Sequence, residues 1–70
     1  MMIDQKAIDQ VIEEINAYQL KHRLNYSKLA KMVGVYSHTL RAILLRSSQP
    51  RSGTFFKMSD FAQKIREEEK

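Results

Sequence analysis

Apolar residues recur along this chain with a helical period. Ile8, Val11, Ile12, Ile15 and Tyr18 fall three or four residues apart, and Asp9, Glu13, Glu14 and Lys21 lie largely off that stripe. The pattern predicts an amphipathic helix over residues 4–22. Asp4 is placed to cap its start, and Ile3 with Ile8 has the spacing of a hydrophobic staple. A second, short helix is expected over residues 26–33. Asn25 would cap it, Leu24 and Leu29 would repeat the staple, and Leu29, Ala30 and Val33 would face inward. Gly34 should end it, because glycine accepts the left-handed conformation that follows a helix end. Val35 would plug the turn into the core.

A third helix is expected from residue 36 or 37 to residue 45 (36–45 at its widest), with Leu40, Ile43 and Leu44 as its buried face and Leu45 near the outward one. The run RSSQPRSG, residues 46–53, reads as a loop from its serines, proline and glycine. Ser52 would then cap a fourth helix over residues 53–67, whose apolar side is Phe55, Phe56, Met58, Phe61, Ala62 and Ile65. The tail, residues 68–70, is expected to fray. No strand pattern, internal repeat or longer low-complexity segment interrupts this series. An all-α fold in one domain spanning residues 1–70 is therefore expected, and 70 residues have room for one small core.

Charge changes the picture more than composition does. The formal net charge is only +4. Its distribution is uneven: no acid occurs between Glu14 and Asp60, a stretch holding Lys21, Arg23, Lys28, Lys31, Arg41, Arg46, Arg51 and Lys57. If that stretch folds as a unit it presents one positive surface, which favours a polyanionic partner. The competing reading is an ordinary solvated face. Cysteine is absent, which excludes disulfides and thiolate metal sites. His22 and His38 are too few and too far apart to suggest a metal centre, so neither metal nor cofactor is expected. No run reaches membrane-spanning length, and MMIDQK turns polar too early for a secretory signal. The missing cysteine suits a reducing cytosol, so a cytoplasmic location is the corresponding expectation.

Two short helices around a glycine turn make a helix-turn-helix. The order Ala30, Gly34, Val35, Leu40, Ile43 within LNYSKLAKMVGVYSHTLRAIL resembles that of the Cro and lambda-repressor-like family, also called XRE-type. QPRSGTFFKMSDFA is similar to the family's proline-led fourth helix, with Pro50 in the loop. Together the likeness covers residues 8–65. It implies a small lambda-repressor-like domain of four helices, or five. It further implies a sequence-specific transcription regulator of repressor type, from a phage or mobile element, that binds double-stranded DNA.

By that resemblance the start of the third helix enters the major groove, with Ser37, His38 and Arg41 toward base edges and Tyr36 and Thr39 beside them. Arg41 is the candidate for a bidentate contact with guanine. Tyr26, Lys28, Arg46, Arg51 and Lys57 are the phosphate candidates. Bland roles compete: Ser37 as a helix cap, Tyr26 as a ring packed against the first helix, any one cation as simply solvated.

Three departures from the family pattern matter. Tyr26 stands where a glutamine is usual. ILLRSS replaces an acid and a glycine after the third helix. The sequence also runs out after the fourth helix, so a homodimer built on a fifth helix is left open. Tyr36, Leu44 and Leu45 around the reading helix motivate an alternative on the same fold: an antirepressor, or modulator of repression, that grips a partner repressor protein. Enzymatic function is not expected. Ser37 and His38 are adjacent in sequence without an orienting acid, and no phosphate-binding loop occurs.

Overall fold

The computed structural model describes residues 4–68. Its regular elements are four α-helices: α1 (Gln5–His22), α2 (Tyr26–Val33), α3 (Ser37–Leu44) and α4 (Ser52–Glu68). No strand occurs among the described residues. The fold is all-α, as the periodicity predicts. The Ile3–Ile8 staple and the last two tail residues lie outside the described residues.

Local chemistry accounts for the helix boundaries. Asp4 is extended and accepts a hydrogen bond from the Lys6 backbone N–H at 3.2 Å. Asn25 does the same for Lys28 at 2.8 Å, satisfying one of the donors that a helix start leaves open. The first three helices all stop through a left-handed residue. Arg23 has φ 51°, Gly34 has φ 94° and Arg46 has φ 62°. In each case the next N–H reaches back five residues: Leu24 to Gln19 O, Val35 to Ala30 O, Ser47 to Ala42 O. This is the 6→1 bond of a Schellman-type cap. Only the central one uses glycine. The turn from α2 to α3 is then three residues, Gly34 to Tyr36.

One apolar cluster joins the helices. Ile8, Val11, Ile12 and Ile15 of α1 meet Leu29, Ala30 and Val33 of α2, Leu40, Ile43 and Leu44 of α3, and Met58 and Ala62 of α4. Tyr18, Leu24, Tyr26, Val35, Phe55 and Phe61 pack around it, half-buried. No polar or charged side chain is buried among the described residues. The principal pairings are α2 on α3 and α1 on α4. The second is reinforced by Arg66, whose Nε donates to both carboxylate oxygens of Glu14 at 2.9 Å.

Several expectations need correction. α3 starts at Ser37 with Tyr36 in the cap position, and no side-chain cap bond forms. Ser37 is therefore a first-turn residue and not the cap. Ser52 is the first residue of α4 and does not cap it from outside, and α4 extends through Glu68. Phe56 is 73% exposed. It lies roughly opposite the Met58–Ala62–Ile65 stripe by helical phase, so it does not share the apolar face with Phe55. Leu44 is buried at 4% while Leu45 is 58% exposed. The two neighbours are about 100° apart on the helix, and only Leu45 is available to a partner.

Candidate functional site

Burial of Leu40, Ile43 and Leu44 dictates which side of α3 faces out. The positions displaced from them around the helix are Ser37, His38, Arg41 and Leu45, all exposed, with Ala42 half-buried at the margin. Tyr36, 77% exposed, stands at the N-terminal tip of this face. Its ring stacks on His38 with centroids 5.8 Å apart and planes 18° from parallel. The structure thus brings Tyr36, Ser37, His38 and Arg41 together on one outward surface.

Thr39 belongs elsewhere. It is half-buried and turns to the flank of α3 nearest α4.

A concavity lies on each flank of this ridge. On the α2 side a crevice of about 500 Å³ runs between Tyr26 and Ser27, at the start of α2, and the face of α3, with Ser47 closing its end. On the α4 side a crevice of about 400 Å³ separates the Gly34–Tyr36 turn and Thr39 from Thr54 and Lys57. Each holds hydroxyl groups and one cation: Tyr26, Ser27, Ser37 and Ser47 with Arg41 on the first flank, Tyr36, Thr39 and Thr54 with Lys57 on the second. Neither is lined by an acid among the described residues. Glu14 lines a hollow between α1 and α4, and Asp60 and Glu68 line one between α2 and α4 that Lys57 also borders.

The expected phosphate contacts divide. Lys28 and Arg51 are exposed, beside α2's first turn and just ahead of α4. Tyr26 is half-buried with its ring packed against the core cluster, yet it still lines the first crevice, so the packed and surface readings both hold for it. Arg41 has no ion pair or hydrogen bond to any described residue, leaving its whole guanidinium fork available. Lys57 Nζ donates to the carbonyl of Gly34 at 3.1 Å, which holds the amine in the second crevice. Arg46 is committed elsewhere. It pairs with Asp9 on α1, a carboxylate that also accepts from Gln5 at 3.1 Å. The Gln5 amide first, and then Arg46, hold the Asp9 carboxyl below its ordinary range. Arg46 therefore serves to fasten the end of α3 to α1 in this structure.

The periodicity missed Ser27, Ala42 and Ser47 in the first crevice and Thr54 in the second. Thr54 was within reach, because it lies three residues before Lys57 and shares its side of α4. Ser47 was not, because its position depends on the unmarked left-handed turn at Arg46; its hydroxyl donates to Ala42 O at 3.1 Å. Among the described residues no group of three or more His, Asp or Glu side chains could hold a metal ion, and no helix is long and apolar enough to cross a membrane. No family model, curated protein or solved structure matches this chain.

Proposed function

We propose that the chain is a sequence-specific regulator that binds double-stranded DNA through a helix-turn-helix formed by α2 and α3, and acts as a repressor of a phage or mobile element. One observation carries the reading: α3 is an exposed ridge between two crevices, each bordered by hydroxyl-bearing residues and a cation and neither lined by a described acid. A helix with its side chains is about 10–12 Å across, and the major groove is about 12 Å wide. A helix seated there meets bases along its crest and sugar–phosphate on its flanks. In this reading Arg41 pairs with a guanine, Ser37 and His38 approach neighbouring base edges, and Tyr36 touches bases from the tip. Lys28 and Arg51 supply positioning charge. The sequence resemblance to Cro-like regulators points the same way.

Selection from a random duplex pool, followed by titration at two salt concentrations, tests it. Arg41→Ala should weaken the selected duplex by about 1–3 kcal/mol and relax the preference at one base pair. Retention of both affinity and preference in that variant would refute the placement of α3.

A second reading rests on the exposed apolar side chains Tyr36 and Leu45 beside Arg41. They suit a protein surface, as in an antirepressor that docks on a partner repressor. Direct DNA binding falls steeply with salt through counterion release. A docking protein would instead show feeble, sequence-blind DNA binding alone and tight association only with its partner.

A further inference from the structure

We propose that the hollow between α2 and α4 is a contact surface for a second copy of this chain, whose own α4 lies antiparallel across the first. Four charged residues carry the inference. Lys57, Asp60, Lys64 and Glu68 all border this hollow of about 330 Å³, and all are exposed. Each lies three or four residues from the next, so they form one stripe along α4. The sign alternates along it: plus, minus, plus, minus.

An alternating row of this kind is complementary to its own reverse. With two α4 helices antiparallel, Lys57 comes opposite Glu68 of the second copy, and Asp60 opposite Lys64 of the second copy. A two-fold axis repeats both contacts. One register serves them all, because the midpoints of the two spacings differ by only about 0.8 Å along the helix. Parallel docking in register would instead set like charges face to face. A partner surface of a single sign would meet two attractions and two repulsions. The row therefore favours its own copy over a polyanion or a basic protein.

The contacts within one chain suit this docking. Lys64 Nζ lies 3.4 Å from an Asp60 carboxylate oxygen. Two such pairs brought together close a ring of four alternating charges, and a network stabilises more than an isolated exposed pair. Lys57 donates to Gly34 O at 3.1 Å, which steadies the amine and leaves two donors for Glu68 of the second copy. Between the banks the hollow is apolar. Met32, 47% exposed, stands on the α2 side. Phe61 is half-buried and meets Tyr18 edge-on, with centroids 5.4 Å apart. An unbranched methionine adapts to whatever is pressed on it.

From Lys57 to Glu68 the row runs about 16 Å. A strip of that length and one helix wide falls short of the roughly 800 Å² that each member of a stable pair commits. The dimer is therefore weak and sensitive to salt. No residue of α3 lines the hollow, so the inference stands apart from the DNA reading.

Sedimentation equilibrium of the whole chain, at rising concentration and two salt concentrations, tests the dimer. Wild type should associate at high concentration, and less so at high salt. Asp60→Lys and Lys64→Glu should each weaken self-association about tenfold or more, because each sets like charges opposite one another at both symmetric contacts. Mixing the two variants should restore association as a heterodimer, since their substituted positions then face each other with opposite sign. The double variant, Asp60→Lys with Lys64→Glu, should dimerise like wild type. Met32→Ser should weaken the dimer, and Leu45→Ala on α3 should not. Thermal melts identify any single variant that fails to fold, and the double variant, which keeps an opposite-sign pair within α4, then decides. A wild type that stays monomeric at millimolar concentration overturns the proposal. So does a mixture that associates no better than its components, or a dimer that Leu45→Ala abolishes.

Discussion

Replacing Gly34 separates backbone strain from steric conflict, because the structure isolates the two. A β-carbon built at position 34 would meet nothing nearer than the Lys57 side chain, whose Cδ lies 4.0 Å away, an ordinary contact. The whole penalty must therefore come from the backbone. Gly34 has φ 94° and ψ 33°. That φ lies about 40° beyond the ideal left-handed value of about +57°, on the side where a β-carbon fares worse. A left-handed non-glycine residue costs roughly 1–2 kcal/mol. Alanine recovers about 0.4–1 kcal/mol by narrowing the unfolded ensemble, leaving a net loss of about 1 kcal/mol. For a domain of this size that lowers Tm by about 4–8 °C. Valine should lose more, because a β-branched residue resists positive φ. Asparagine should lose less than alanine, since its side chain tolerates this region. Thermal and urea unfolding followed by far-ultraviolet circular dichroism would rank the four proteins. The expected order is Gly, Asn, Ala, Val. An alanine variant that melts with the parent would refute the left-handed turn. Asparagine no better than alanine would show that contact, not dihedral angle, sets the loss.

Two further perturbations test the packing and electrostatics. Leu44→Ala should destabilise the fold by about 2–5 kcal/mol, as a buried leucine does, while Leu45→Ala next to it should stay within about 0.5 kcal/mol; paired urea titrations would show it, and equal losses would mean the phase of α3 is wrong. The Asp9 carboxyl is held below its ordinary value by Gln5 and then Arg46, so its contribution to stability is complete above the unfolded-state value of about 4 and is lost as pH falls through the folded one. Chemical unfolding of wild type and Asp9→Asn across acid pH should show a stability gap that closes toward strong acid, and a gap independent of pH would count against the Asp9 contacts.

Much of the fold was readable because it is written in local signals. The α1 stripe Ile8, Val11, Ile12 and Ile15 is buried throughout, and Asn25 and Gly34 perform the capping roles that their side chains suit. One place escaped where adjacent residues of one kind split between core and solvent. Phe55 and Phe56 satisfy the same apolar pattern, yet only Phe55 packs on the core, whereas the burial of Leu44 follows from the phase of α3. The left-handed corners at Arg23 and Arg46 escaped for a different reason. Arginine carries no mark of that conformation, whereas glycine does. For the candidate site, the outward residues of α3 followed from its buried face. The fate of Arg46 did not, because its partner Asp9 is 37 residues away in the chain. Pairings that distant depend on how whole helices come to rest, and hydrophobic period is silent on them.

The sorting of carboxylates away from the two hollows beside α3 has a kinetic side. On the proposed DNA-binding reading, positive charge on that aspect, Arg41 foremost, would turn the protein in the field of the duplex before it touches, as a magnetised needle turns near a pole. Fewer collisions are then wasted on the wrong hemisphere. Dilute electrolyte would let that torque act from afar, and concentrated electrolyte would confine it to the last ångströms of approach.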